Sequence, residues 1–421
     1  MSSSVRVQPD LKFVKELQQV GGESLKKCYQ CATCSVVCPL SPADGPYPRK
    51  EMVWAQWGLK DKLLNDIDIW LCHNCGTCSD LCPRGAKPAD LLAAMRNMAY
   101  RNVAEPSIIG KWMSSSKGLP FLIAIPAILW MAIWIVRAGA LGSMFPLFEA
   151  GEHGWIASAA GSVVYGGLFP GDYTIDPIFA ITFFAMVFVF WRATRKLLAS
   201  FADQPKTFVV GGGELPCFCS AVVDTLVNEV GQHTTFNDCG EEEEDTQRFK
   251  GHIVLMYAFV ALAIVTGTIA VCHWGSFLLN AVGLNGIVTE FIHYMGSTPL
   301  SLINPIKLLA NAGAIGMLFG LTLLTRRRSG QDPAKKGSSW YDWYLLGLLW
   351  VIVLTGVGAE LFRLLGLAVL GYPTYYVHLV AVWMLFAYLP WSKLGHLVYR
   401  TASLAYAKKI GRIPMGRRCG L

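Results

Sequence analysis

The chain has 421 residues, of which 53% are hydrophobic and only 15% are charged, and its formal net charge is +7 at pH 7. This composition favours a membrane protein. The lysines and arginines cluster between apolar segments, so the positive charge is interpreted as a signal for membrane topology and not as a nucleic-acid interface.

One cysteine pattern occurs twice near the N-terminus, in residues 28–39 and 72–83, with the spacing C-x2-C-x2-C-x3-C-P. That spacing wraps a [4Fe–4S] cluster, and the cysteine before proline ligates the other cluster. The predicted sites are cluster one at Cys28, Cys31, Cys34 and Cys82, and cluster two at Cys72, Cys75, Cys78 and Cys38. Zinc and disulfides are the competing interpretations, but zinc favours cysteine pairs and disulfides do not explain an identical repeat.

The sequence around the cysteines has a helical period. Residues 49–71 and the stretch after Cys82 place apolar side chains at helical intervals, which predicts an all-helical ferredoxin domain over residues 1–105. The N-terminus has no apolar signal-peptide core, so we expect this domain in the cytoplasm. Residues 102–118 are the expected linker.

Residues 106–421 are predicted to form a transmembrane domain. Apolar segments long enough to cross a bilayer lie at about 119–136, 175–191, 253–272, 303–325, 340–362 and 375–394. Connections 139–174 and 273–302 contain no lysine or arginine, whereas the other connections and the C-terminus are rich in them. The positive-inside rule then predicts an all-α, six-helix, multi-pass protein of the cytoplasmic membrane with both termini in the cytoplasm.

The connection 199–249 is predicted to be a long cytoplasmic insertion. Its Cys217, Cys219 and Cys239 lack a fourth ligand at a suitable spacing, which favours structural or unused thiols over a third metal site. The acidic run 241–245 is interpreted as a solvated face or a docking surface.

Histidines bracket two of the apolar segments, and ionisable groups in a membrane usually have a function. His378 and His396 are separated by five turns if one helix carries both, which places them on one face about 27 Å apart. The predicted ligands are His252 with His396 for an inner haem b, and His378 with His273 for an outer one, with His293 as the alternative to His273. The other interpretation is that these histidines only bond to backbone carbonyls at the lipid interface.

Three polar residues, Asn304, Lys307 and Asn311, share one stripe at the outer end of the fourth segment. A quinone needs an apolar slot with polar groups for its ring oxygens, so this stripe is a candidate menaquinone site. An ion pair between Lys307 and Glu360 that only joins two helices is the alternative.

Nearly the whole chain resembles a known family. The cysteine runs match the C subunit of heterodisulfide reductase, and the segments GHIVLMYAF, VCHW, YYVHLV and LGHLVYR resemble the cytochrome b subunits of heterodisulfide reductase and respiratory nitrate reductase. A chain that joins both parts is similar to the membrane subunits of the quinone-interacting oxidoreductases of sulfate reducers. His252, His378 and His396 match the cytochrome pattern. Leu262 stands where nitrate-reductase-type sequences have the fourth histidine, which leaves the second ligand of the outer haem open.

The resemblance implies a menaquinone pool on one side and flavin/iron–sulfur subunits resembling heterodisulfide reductase A on the other, with electrons passing toward adenylylsulfate reductase. We therefore expect the electron-transfer subunit of a quinone-linked oxidoreductase, with haem b and two [4Fe–4S] clusters as its carriers. Two alternatives stay open. One is a cytochrome b subunit that works in the quinone-reducing direction, and the other is a redox-inactive membrane anchor.

Overall fold

The computed structural model describes residues 8–42, 45–140, 148–151, 154–157, 163–202, 215–234, 243–331, 337–413 and 415. Helices dominate this part of the chain, which confirms the predicted all-α class. The described residues also contain one antiparallel hairpin of β1 (Phe148–Gly151) and β2 (Gly154–Ala157).

Short helices build the N-terminal domain. They are α1 (Leu11–Gln19), α2 (Thr33–Val36), α3 (Arg49–Gln56), α4 (Lys60–Leu64), α5 (Asp68–Leu71), α6 (Thr77–Asp80), α7 (Pro88–Val103) and α8 (Ser107–Met113), with a 3₁₀ turn at Glu23–Lys27. The longest of them, α7, buries Leu91, Leu92 and Met95, and its first residue is a proline, which is favourable at a helix start.

The rest of the chain contains most of the long helices, together with two short ones. In order they are α9 (Leu119–Ala140), α10 (Tyr165–Leu168), α11 (Asp176–Ser200), α12 (Phe218–Asp224), α13 (Glu243–Ala281), α14 (Ile287–Gly296), α15 (Pro305–Ser329), α16 (Trp340–Leu364), α17 (Ala368–Ala387) and α18 (His396–Lys409). Six of the helices in the described residues, α9, α11, α13, α15, α16 and α17, are long and apolar enough to cross a membrane, as predicted. Large apolar side chains on them stay exposed, for example Val271 at 72%, which suits contact with lipid.

Helices α13 and α15 approach each other closely because glycines on α15 face α13. A Cβ atom added to Gly320 would lie 2.9 Å from the backbone nitrogen of Leu255, and one added to Gly313 would lie 3.1 Å from Leu262. Small residues at a helix crossing let the two backbones pack tightly in a membrane. Leu262 therefore fills a groove on α15.

The prediction that His378 and His396 share one helix is wrong. Helix α17 ends at Ala387, and two 3₁₀ turns, Leu389–Trp391 and Lys393–Gly395, separate it from α18, which begins at His396. Pro390 explains the break, because the residue before a proline disfavours helical backbone. The five-turn geometry therefore does not apply to these two histidines.

An aromatic cluster joins the N-terminal domain to the membrane helices. The ring of Tyr399 on α18 lies 5.9 Å from Trp70, 5.9 Å from Tyr100 and 5.3 Å from Phe190 on α11, measured between centroids. Trp70 and Tyr399 are both fully buried. Helix α18 is thus the platform on which the cysteine-containing domain sits.

Candidate electron-transfer site

The two cysteine loops have the same backbone geometry. The backbone nitrogen of Gln30 donates to the Sγ atom of Cys28 at 3.4 Å, and that of Asn74 donates to the Sγ atom of Cys72 at 3.3 Å. Gln30 and Asn74 both adopt positive φ angles, 61° and 54°, which non-glycine residues seldom do. Backbone donors therefore point at the first sulfur of each run.

The same correspondence continues at the second cysteine. The hydroxyl of Thr33 lies 3.4 Å from the Sγ atom of Cys31, and the hydroxyl of Thr77 donates to the Sγ atom of Cys75 at 3.5 Å. Hydrogen bonds to cluster sulfurs are one means by which proteins adjust reduction potentials.

Thiol groups from the two runs lie close enough to affect one another. The cysteines whose charge raises the pKa of Cys34 are Cys28, Cys31 and Cys82, and those that raise the pKa of Cys78 are, strongest first, Cys72, Cys75, Cys38 and Cys34. Burial is the larger cause, and raises the pKa of Cys34 to about 11 and that of Cys38 to about 12. Bound iron would offset this cost by supplying positive charge to the thiolates.

The spacing of the thiols does not suit a single zinc ion. Among the described residues, no three of these thiols lie within 4.8 Å of one another. One zinc ion with bonds of about 2.3 Å to sulfur requires thiolates about 4 Å apart. None of the described cysteines forms a disulfide.

The structure brings His252 on α13 and His396 on α18 close together. Their ring centroids are 6.3 Å apart, and two imidazole nitrogens that each lie about 2 Å from one metal would put the centroids about 6 Å apart. The Nδ1 atom of His396 lies 2.7 Å from the carbonyl oxygen of Lys393. Burial lowers the pKa of His396 to about 4, which keeps the imidazole neutral, as a metal ligand requires.

A cavity of about 1060 Å³ contains this histidine pair. Its walls include apolar side chains of α13 and α16, such as Leu255, Phe259 and Leu349. The same cavity reaches Cys72 in the N-terminal domain. Its size, apolar walls and histidine pair fit a haem, and it places the pair beside one of the two cysteine groups.

The predicted outer pair is not brought together. His273 lies 2.7 Å from the carboxylate of Asp172, while the Nδ1 atom of His378 lies 3.1 Å from the carbonyl oxygen of Ile352 on α16. Within the described part of the chain, no ring contact joins His378 to His273 or to His293. Each of the two predicted outer ligands thus has a protein partner of its own.

Two of the three candidate quinone residues also have protein partners. The ammonium of Lys307 lies 2.7 Å from the carboxylate of Glu360. This is the ion pair that the sequence analysis gave as the alternative to a quinone site. Asn304 is the N-cap of α15, where its side chain accepts from the backbone nitrogen of Ile306 at 2.9 Å and donates to the carbonyl of Tyr294 at 3.2 Å. Asn311 is half-buried on the same helix.

Sequence reasoning missed several residues around the inner pair. His233, in the insertion, lies 2.7 Å from His252, and His73, Arg248 and Arg400 surround the same cavity. The only signal was that each arginine lies four residues from a predicted ligand, Arg248 before His252 and Arg400 after His396.

In the insertion, Cys217 accepts from the backbone nitrogen of Ser220 as the N-cap of α12, and Cys239 lies outside the described residues.

Comparisons with known proteins identify the N-terminal region. Residues 24–86 match the family described as a 4Fe-4S dicluster domain. The chain is 37% identical over 93 residues to the C subunit of the H(2):CoB-CoM heterodisulfide,ferredoxin reductase of Methanothermobacter marburgensis, covering 22% of this chain and 50% of the relative. It is 35% identical over 93 residues to a protein of Archaeoglobus profundus that is described as like the C subunit of heterodisulfide reductase, with 22% and 50% covered.

The C2 subunit of the H(2)/formate:CoB-CoM heterodisulfide,ferredoxin reductase from Methanococcus maripaludis is 38% identical over 104 residues, with 22% of this chain and 56% of the relative covered. The chain thus spans about half the length of the curated relatives it matches. No solved structure matches it. The N-terminal region is an iron–sulfur electron-transfer domain related to the C subunits of heterodisulfide reductases, and the described residues that follow it include six helices long and apolar enough to cross a membrane.

Proposed function

We propose that this chain is the membrane electron-transfer subunit of a quinone-linked oxidoreductase. In this proposal it passes electrons from menaquinol, by way of haem b and two [4Fe–4S] clusters, to soluble flavin/iron–sulfur subunits and toward adenylylsulfate reductase in dissimilatory sulfate reduction. The observation that carries the proposal is the cavity that contains His252, His396 and Cys72 together. A haem-ligating pair that shares one cavity with a cluster ligand suits electron transfer between membrane and soluble carriers.

His252 and His396 are the proposed ligands of one haem b, and haem iron supplies one-electron chemistry when it is bound. The carbonyl of Lys393 orients the His396 ring, and apolar residues of α13 and α16 exclude water. The crossed cysteine groups defined above hold the two clusters. The Nδ1 atom of His378 also lies near a backbone carbonyl, that of Ile352, so its Nε2 atom suits an outer haem, whereas His273 contacts Asp172 and is not its second ligand.

The surface near cluster one suits a soluble partner. Cys31 is exposed, and so are Lys26, Lys27 and Arg84, while Tyr29 is 68% exposed. A basic rim with an aromatic residue favours a partner with acidic side chains around its own cofactor. The proposed orientation places this surface and both termini in the cytoplasm, by the positive-inside rule.

The purified full-length protein tests the proposal. We expect a reduced-minus-oxidised spectrum of haem b, EPR signals of two [4Fe–4S] clusters, and cluster reduction by a menaquinol analogue. His396→Ala should remove the haem nearest the clusters and abolish cluster reduction by quinol, while dithionite still reduces the clusters. The control Arg101→Gln, which loses only an ion pair with Glu16 in the N-terminal domain, should change neither. A wild-type protein without haem b would contradict the proposal and favour a membrane anchor. Quinone reduction from reduced clusters, without quinol oxidation, would assign the opposite direction.

A further inference from the structure

Residues 69–73, the segment that leads into and past Cys72, are held by arginines from three helices. Arg400 on α18 donates to the carbonyl of Trp70 at 3.2 Å, and its Nη2 atom lies 2.8 Å from the Nδ1 atom of His73. Arg248 on α13 donates to the carbonyl of His73 at 2.5 Å. His73 is thus contacted from both helices that carry the inner histidine pair.

These arginines are linked to the histidine pair by helix geometry. Arg248 precedes His252 by four residues and Arg400 follows His396 by four, so each arginine lies about one turn from a proposed haem ligand on the same helix face. Any shift of either ligand helix would therefore move His73 as well.

A third arginine holds the same segment from within the N-terminal domain. Arg96 on α7 donates to the carbonyl of Cys72 at 2.8 Å and to that of Ile69 at 3.2 Å. Three guanidinium groups on the carbonyls of one short segment make it a rigid connection, because charge-assisted hydrogen bonds are stronger than neutral ones.

Cluster one has the opposite surroundings. Its Cys31 is exposed, whereas Cys72 and Cys78 of cluster two are buried at 9% exposure each. The cavity that contains His252 and His396 is lined by Cys72 but, within the described residues, by no cysteine of cluster one. The two clusters therefore face different neighbours.

We infer that cluster two exchanges electrons with the haem held by His252 and His396, through the segment around Cys72 and His73, and that cluster one is the terminal carrier that faces the soluble partner. This inference rests on the proposed function. With the cofactors bound, His252 and His396 would hold the electron donor and the cysteines would hold the two acceptors. One-electron oxidation of the haem iron would balance one-electron reduction of cluster two, and reoxidation of cluster two would balance reduction of cluster one. No covalent bond changes and no proton is required.

Selective removal of each cluster tests the order in the full-length protein. After mixing with a menaquinol analogue, samples are freeze-quenched and read by EPR for the clusters and by absorbance for the haem. In Cys31→Ser we expect loss of cluster one only, with cluster two still reduced by quinol. In Cys75→Ser we expect haem reduction without reduction of cluster one, although dithionite reduces cluster one. Quinol reduction of cluster one at the wild-type rate in Cys75→Ser would overturn the inference.

Arginine variants test the same segment without removing a cluster. Arg400→Gln should keep both clusters and the haem but slow the reduction of cluster two by quinol, whereas the control Arg101→Gln, which loses an ion pair with Glu16 within the N-terminal domain, should keep the wild-type rate. A wild-type rate of cluster-two reduction in both Arg400→Gln and Arg248→Gln would overturn the role of the segment. Absence of haem b would refute the proposed function itself, whereas haem reduction followed by direct reduction of cluster one would refute only the order.

Discussion

The Nδ1 atom of His252 lies 2.7 Å from the Nε2 atom of His233. His233 is buried, at 2% exposure, and adopts a positive φ of 53° at the end of the described part of the insertion. A hydrogen bond to the second nitrogen of a ligating histidine sets its tautomer and ring orientation. The insertion thus positions the ring of a proposed haem ligand.

We predict that His233→Phe weakens haem binding and changes its spectrum. Phenylalanine keeps an aromatic ring but removes the acceptor, and loss of such a partner typically costs about 10- to 100-fold in metal affinity. Haem retention during detergent washing, the haem reduction potential and the EPR g values measure the effect. His233→Asn, whose side-chain oxygen can accept the bond, should restore part of it. Wild-type values in His233→Phe would show that the contact is only structural.

The crossed ligation of the clusters gives a second prediction. Cys38→Ala should chiefly damage the cluster held by Cys72, Cys75 and Cys78, because the cysteine before proline belongs to the other cluster. EPR of the reduced protein distinguishes the two clusters. Selective loss of the cluster held by Cys28 and its neighbours would contradict the crossed assignment.

A buried charge cluster in the N-terminal domain gives a third prediction. The ammonium of Lys50 lies 3.3 Å from Glu51, 2.9 Å from Asp66 and 2.7 Å from Asp68, and Arg412 contacts Asp68 at 2.9 Å. Lys50→Met would remove the ammonium that contacts these three buried carboxylates. Loss of one partner of a buried ion pair typically lowers the free energy of unfolding by about 3–5 kcal/mol. Thermal unfolding, followed through the loss of cluster absorbance, measures this cost.

The pH dependence of the Lys50→Met variant follows from the same burial. Burial raises the pKa of Glu51 and that of Asp66, so the folded protein holds protons that the unfolded chain releases as the pH rises. Stability from such groups is lost with rising pH. The stability difference between wild type and Lys50→Met should therefore be smaller at pH 5 than at pH 8. A difference that grows toward pH 5 would contradict this account.

The outer end of α15 gives a fourth prediction. We retain the hypothesis that menaquinol is oxidised near Lys307 and Asn311, so Lys307→Met should lose quinol oxidation while haem content and assembly stay intact. Glu360→Gln is the matched control, because it breaks the same ion pair but keeps the ammonium. If both variants lose the same stability but keep wild-type quinol kinetics, Lys307 and Glu360 form only a structural ion pair. The quinone site would then lie at the cytoplasmic end, beside His396.

The parts of the fold that were predicted well follow from local sequence patterns. The cysteine runs, the helical period of residues 49–71 and the apolar segments are each readable within one stretch of chain, because ligand spacing and hydropathy depend on near neighbours. The pairing of Lys307 with Glu360 was also foreseeable from opposite charges at one depth. Helix ends were predicted less well: the chain breaks at Pro390, between two histidines that the pattern had placed on one helix.

The sequence by itself determined the two-cluster motif, the six apolar helices and the histidines worth considering. Only the tertiary structure decided that His233 contacts His252, that Leu262 packs against Gly313, and that Arg248 and Arg400 meet at His73. These contacts join residues far apart in the chain, and they depend on how helices cross and where the insertion folds back. Such geometry follows from packing over the whole molecule, which no local pattern encodes.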